Sequence, residues 1–83
     1  MKLLYFAWVK QKIGVGEEVV DPPQGARTVG DIAVWLKSRG GGYAEAFADV
    51  KRLRAAVNQD HVLFTAPVGP GDEVAFFPPV TGG

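Results

Sequence analysis

Between Lys2 and Val9 the chain is apolar on both parities. In an extended strand, Leu3, Tyr5, Ala7 and Val9 would share one face, and Lys2, Leu4, Phe6 and Trp8 the other. Lys2 marks the second face as the solvent side, yet that face also carries large apolar groups. Gly14 and Gly16 punctuate a turn, and Glu17 to Asp21 predicts a short second strand ended by Pro22-Pro23, so that the opening pair reads as a hairpin. The period then changes. Thr28 is placed as an N-cap with Asp31 in the capping-box position, and Val29, Ile32, Ala33 and Leu36 fall at helical spacing, which predicts an amphipathic helix to about Ser38. Gly40-Gly41-Gly42 stops it. Tyr43, Phe47 and Val50 fit a second, shorter helical stretch. Leu53 to Asn58 and His61 to Thr65 predict strands joined by a turn at Asn58-Gln59-Asp60. Gly69-Pro70-Gly71-Asp72 reads as a type II turn, and Glu73 to Phe77 as the last strand, with Val74 and Phe76 on one face and Ala75 and Phe77 on the other.

The predicted order is strand, strand, helix, strand, strand, strand. This resembles the β-grasp arrangement of ubiquitin, an α+β fold in which one mixed sheet is covered on one face by a helix. In that fold the first and last strands lie side by side and parallel, which would bring Phe6, Trp8 and Phe77 together. The expected organisation is one domain over 1–83, with 78–83 an extended C-terminal tail.

Composition narrows the classes. A chain of 83 residues with 47% hydrophobic residues predicts one small folded domain. Nine basic and nine acidic residues cancel, which argues against a nucleic-acid binder held by phosphate contacts. No apolar run approaches membrane-spanning length and none reads as a signal peptide, so neither a membrane partner nor export is expected. There is no cysteine. That excludes a disulfide scaffold and a thiolate metal site, and makes the cytoplasm the expected location.

Little in the interior suggests catalysis. Gly14-Val15-Gly16 is only a fragment of a phosphate-loop pattern, without its third glycine or a helix directly after it. His61 is the only histidine, so it makes neither a metal site nor a triad, and no metal is expected. Lys51, Arg52 and Arg54 read as a solvated basic face. The chemistry points instead to the C-terminus, Phe76-Phe77-Pro78-Pro79-Val80-Thr81-Gly82-Gly83. Proline cannot donate to a sheet ladder, so the strand should stop near Phe77. Beyond it, Pro78, Pro79, Val80, Thr81, Gly82 and Gly83 can reach roughly 20 Å when extended. A slim arm with two terminal glycines suits delivery of a carboxylate into a partner's pocket, because no Cβ obstructs it. The competing reading is a frayed terminus.

Ala55-Ala56-Val57-Asn58-Gln59, together with Gly71-Asp72-Glu73-Val74-Ala75-Phe76-Phe77-Pro78-Pro79-Val80-Thr81-Gly82-Gly83, resembles the small, sulfur-carrying subunit of molybdopterin synthase. Tyr5-Phe6-Ala7 with Lys10 and Gly14 is similar to that family's first strand and loop, with Lys10 where members often carry arginine. The resemblance implies that an activating enzyme of the ubiquitin-activating type adenylates Gly83 with ATP and magnesium. A sulfur donor then leaves a thiocarboxylate there, and Gly82 keeps the approach narrow. The large synthase subunit would receive the tail, the thiocarboxylate would donate sulfur to cyclic pyranopterin monophosphate, and a heterotetramer is the expected assembly. This chain would bind no cofactor and would be non-catalytic alone. The docking patch implied is Phe6, Trp8 and Phe77, with Leu4, His61 and Leu63 at its edge and Pro78, Pro79, Val80 and Thr81 entering the partner. A thiamine-pathway sulfur carrier, a ubiquitin-like protein modifier and a non-catalytic adaptor are the alternatives. Phe77-Pro78-Pro79 favours molybdopterin over thiamine.

Overall fold

The computed structural model describes residues 1–79, and Val80, Thr81, Gly82 and Gly83 lie outside the described residues. In chain order the elements are β1 (Lys2–Tyr5), α1 (Ala7–Ile13), β2 (Glu17–Val19), α2 (Val29–Ser38), α3 (Gly41–Ala46), a 3-10 turn (Val50–Arg52), β3 (Arg54–Val57), β4 (Asp60–Val62) and β5 (Glu73–Phe77). The strands form one sheet in the order β2-β1-β5-β3-β4. β5 is central, parallel to β1 and antiparallel to β3, as the β-grasp expectation requires.

Pleating divides the sheet cleanly. Leu3, Tyr5, Ala55, Val74 and Phe76 point toward the helices and are buried with Val9, Val29, Ile32, Leu36 and Phe47. The Phe47 and Phe76 rings meet edge to face, with centroids 4.9 Å apart. All four positions that predicted the amphipathic helix are buried. Its capping box forms as expected: the Asp31 amide donates to Thr28 Oγ1 at 3.1 Å, and the Thr28 amide donates to Asp31 Oδ2 at 3.1 Å. The Arg27 amide also donates to Asp31 Oδ2 at 3.0 Å, and the bonds from Arg27 and Thr28 hold the Asp31 carboxyl below its ordinary value.

Several sequence expectations are corrected. β1 ends at Tyr5, not Val9, and the chain turns at Ala7 (φ 53°) into α1. Both flanking strands run out at that level. On the β2 side, Gly16 accepts from the Tyr5 amide as the last residue before Glu17. On the β5 side, Pro78 brings no N–H to the continuing ladder. Val9 satisfies period 2 and also a four-residue helical step to Ile13, and burial of Val9 in the core decides for the helix. The β1–β2 pair is antiparallel but no tight hairpin, because α1 lies between the strands. β2 stops at Val19 rather than Asp21. β4 stops at Val62 rather than Thr65, because the Ala66 amide closes a turn onto Leu63 O (3.0 Å) and Phe64 O accepts from the Gly30 amide of α2 (2.8 Å). The second helical stretch is two pieces, α3 and the Val50–Arg52 turn. At Gly69–Asp72 the Asp72 amide reaches Gly69 O at 3.1 Å, but Gly71 is not left-handed, so the turn is not type II.

The triple glycine does more than end a helix. A Cβ at Gly42 would overlap the Lys12 carbonyl oxygen, so the start of α3 lies directly on the end of α1. A second tie gathers four elements. Tyr5 Oη and Tyr43 Oη both donate to Glu18 Oε2, at 2.8 and 2.6 Å, and Arg39 Nη1 donates to Oε1 at 3.2 Å. Arg39 also covers the Tyr43 ring at 4.4 Å. Burial alone would raise the Glu18 carboxyl, but the bonds from Tyr43, Tyr5 and Arg39 outweigh it and hold the group below the usual range. Burial, then the bond to Glu18, pushes Tyr5 and Tyr43 up.

Two stability measurements test this packing. Gly42→Ala should cost about 2–3 kcal/mol and roughly 10–20 °C in melting temperature, and an unchanged melting curve would refute the close approach. Glu18→Gln should cost about 2 kcal/mol near neutral pH. The folded carboxyl is depressed, so its contribution is present above the unfolded value near 4.5 and is lost as pH falls through the folded value. The gap between Glu18→Gln and wild type should therefore close toward acid pH; a gap independent of pH would contradict the clasp.

Candidate functional site

Among the described residues the helices pack on one side of the sheet, and no helix covers its other face. Register places Lys2, Leu4, Glu73, Ala75, Phe77, Arg54, Ala56 and His61 on it. Its centre is a row of small residues, Ala75 and Ala56, flanked by the larger Leu4 and His61. Phe77 of β5 and His61 of β4 belong to strands on either side of β3, and their rings meet across it, with centroids 5.2 Å apart. Phe6 follows β1 on the same parity, is 48% exposed, and its amide donates to Phe76 O at 3.2 Å, which sets it beside the end of β5. Leu63, just past β4, is 78% exposed. Four of the sequence-predicted docking residues, Phe6, His61, Leu63 and Phe77, thus gather at the end of the sheet where β5 runs into Pro78.

Trp8 does not join them. Its expected position rested on a strand that continues to Val9. On α1 it lies instead in a cleft with Lys12, Ala46, Asp49 and Arg52, whose guanidinium sits 5.6 Å from the ring centroid. Pro78 is half-buried and Pro79 exposed. The other expected tail residues, Val80, Thr81, Gly82 and Gly83, fall outside the described residues.

The start of β5 is fixed as firmly as its end. Asn58 Nδ2 donates to Asp72 Oδ1 at 3.0 Å, Asn58 Oδ1 accepts from the Glu73 amide at 3.0 Å, and the Asn58 amide donates to Glu73 O at 2.8 Å. Asp72 Oδ2 in turn accepts from the Gly69 amide at 2.8 Å. The bonds from Asn58 and Gly69 hold the Asp72 carboxyl below its ordinary value. Asn58 also takes a left-handed backbone (φ 50°), which asparagine tolerates better than most residues. This bracket locks the register of the strand that becomes the tail. Both residues belong to the stretches that carried the family resemblance, but their bonding to each other was not visible in the sequence.

Among the described residues no cluster of three or more His, Asp or Glu side chains could hold a metal ion, and no helix is long and apolar enough to cross a membrane. Nothing in this arrangement is a nucleophile with its base. What the geometry can do is present a chain end: a central strand, clamped on both sides, runs into two prolines beside an apolar open face.

The ThiS family model matches residues 3–83. The chain belongs to the ThiS family. It is 44% identical to the molybdopterin synthase sulfur carrier subunit of Escherichia coli K12 and 35% identical to that of Haemophilus influenzae, in each case covering 100% of this chain and 99% of the relative. Among solved structures, SAMP1 from Haloferax volcanii superposes with a TM-score of 0.73 at 27% identity, covering 100% of this chain and 98% of that one. A Pyrococcus furiosus protein described as molybdopterin converting factor, subunit 1, superposes with a TM-score of 0.67 at 30% identity and 95% coverage of each chain. These neighbours place the fold in the ubiquitin-like β-grasp class.

Asn58→Ala should lower stability by about 1–2 kcal/mol through the lost side-chain bonds. Hydrogen exchange should show the Glu73 amide released while the Phe76 amide stays protected. Equal exchange at Glu73 in both proteins would show that the bracket does not hold the strand.

Proposed function

We propose that this ThiS-family chain is the sulfur-carrier subunit of a molybdopterin synthase, acting through its C-terminal Gly83. The observation that carries the reading is the exit of the central strand. β5 is held by ladders on both sides as far as Phe77, and Pro78 and Pro79 bring no N–H with which to continue them, so the sheet ends here beside an apolar face. The end-to-end likeness to two curated sulfur carrier subunits supports it.

The chemistry follows from the carboxylate. Its delocalised charge makes it a poor electrophile, so an adenylyltransferase of the ubiquitin-activating type uses ATP and magnesium to form the Gly83 acyl-adenylate, with release of pyrophosphate. A sulfur donor displaces AMP and leaves a thiocarboxylate. The sulfur then attacks cyclic pyranopterin monophosphate within the large subunit, and repeated delivery builds the dithiolene of molybdopterin. This chain supplies the carried sulfur and its positioning, and the acid–base groups belong to the partner. Because the sulfur rides on the main-chain terminus, a carrier without cysteine suits the task.

Docking falls to the open face. Phe6 and Phe77, with Leu4, His61 and Leu63 around them, present aromatic and aliphatic groups that release water on binding. Pro78 and Pro79 stiffen the base of the tail, while Val80, Thr81, Gly82 and Gly83 enter the partner. Both the activating enzyme and the large subunit need the same tail, so they bind in turn. Assembly with two large subunits into a heterotetramer, in the cytoplasm, completes the proposal.

Two measurements test it. Intact mass of the native protein should show a species heavier by about 16 Da, from exchange of one oxygen for sulfur at the terminus, and this species should vanish when Gly82-Gly83 is removed. Higher-mass conjugates in its place would favour a protein modifier. Phe77→Glu should weaken binding to the large subunit by at least about 2 kcal/mol, roughly 30-fold, while the chain stays folded. Unchanged affinity would remove the open face as the docking surface.

A further inference from the structure

The two edges of the sheet differ in how they meet solvent. β2 is guarded: it carries the exposed Glu17, which Lys2 pairs with at 3.2 Å. Charged side chains of this kind discourage an added strand. β4 has no such guard beyond Asp60. Its hairpin closes through Asn58 (φ 50°) and Gln59 (φ 72°), both left-handed, with Val57 opposite Asp60. In a two-residue hairpin with both turn residues left-handed, the closing pair exchanges both main-chain bonds, and the next pair makes none across the ladder. Ala56 and His61 are that next pair, so the His61 N–H and C=O face away from β3. The same alternation turns the Leu63 N–H outward.

Beside this edge lies an apolar groove of about 410 Å³ between the end of β4 and the Val50–Arg52 turn, lined by Val50, Leu53, Val62 and Leu63. Leu63 is 78% and Val50 43% exposed. Lys51 and Arg54 border the groove, and neither forms an ion pair among the described residues. Arg54 Nη1 is held on Leu53 O at 2.8 Å and Lys51 O at 3.2 Å, so its guanidinium is fixed in place rather than swept through solvent. The groove is continuous with the docking face, since Arg54 is the ladder partner of Phe77, and the His61 ring touches Phe77.

We propose that this edge takes an extended strand from the partner that receives the tail. The partner strand pairs through its main chain with His61 and Leu63, sets an apolar side chain in the groove, and brings an acidic side chain to Lys51 and Arg54. Strand addition of this kind draws affinity from main-chain bonds and selectivity from the flanking side-chain sites. It also gives the open face an orientation that apolar contact alone lacks: a partner registered on β4 cannot rotate about Phe77, which keeps the tail aimed. The inference rests on the sulfur-carrier reading and names how the partner grips the carrier.

The test is amide hydrogen exchange on the intact wild-type chain, alone and saturated with the large synthase subunit. The His61 and Leu63 amides should exchange fast in the free chain and slow by about tenfold or more in the complex. Lys51→Glu, at an exposed side chain, should weaken the complex by about tenfold at low salt, and the difference should shrink as salt rises. A complex that forms while both amides exchange as in the free chain overturns the strand addition but leaves the carrier reading standing. A Lys51→Glu chain that binds as tightly as wild type overturns the acidic contact. A large subunit that does not bind at all overturns the carrier reading and this inference with it.

Discussion

β5 is bound by main-chain ladders on both sides and is followed at once by two residues, Pro78 and Pro79, the first unable to extend the ladder toward β1 and neither carrying an N–H. Every other feature of the molecule can be understood from this arrangement. A strand in the middle of a sheet cannot fray without opening two ladders, so its end is the best-anchored place from which to project a tail. The Asn58–Asp72 bracket fixes where the strand begins, and the parallel pairing to β1 fixes where it ends. The same loss of ladder partners that ends β5 at Phe77 also stops β1 at Tyr5 and sends the chain into α1. One constraint therefore shapes both the end of the central strand and the surface beside it.

Packing all helices on one face has a chemical consequence. The core is completed by Leu3, Tyr5, Val74 and Phe76 against α2 and its neighbours, which leaves the other face without a helix over it: Leu4, Phe77 and His61 stand there around Ala75 and Ala56, which are themselves buried by their neighbours. In a chain with so small a core this is a real cost, met by specific ties: the Glu18 clasp across β2, β1, α2 and α3, and the glycine contact between α1 and α3. The open face is then free for a partner. Small alanines at its centre and aromatic rings toward its tail end form a shallow, apolar surface.

Much of this was legible in the residues. Thr28 and Asp31 announced the helix start, and Val29, Ile32, Ala33 and Leu36 announced its buried face, because capping and periodicity are local signals. Pro78 stopped β5 where its missing N–H required. The diglycine and the Phe77-Pro78-Pro79 approach are what point to the C-terminus in the proposed function. What the residues hid depends on neighbours distant in sequence. Val9 fits a strand and a helix equally, and the exhausted ladders around Tyr5 together with the burial of Val9 decide for the helix, which carries Trp8 away from the face that strand parity predicts. Gly42 read as punctuation, although its necessity comes from Lys12 thirty residues earlier. Nothing local marks Glu18, because Tyr5, Tyr43 and Arg39 converge on it only in the fold.

The central claim is that the folded domain is a holder and the reactive group is its own chain end. The most direct measurement is a single-turnover reaction with radiolabelled sulfur installed only as the Gly83 thiocarboxylate, mixed with the large subunit and the cyclic pyranopterin precursor. The account predicts that the label passes to the pterin product and that the chain returns with an ordinary carboxylate. Product formed without label, or label kept on the chain after product appears, would contradict it.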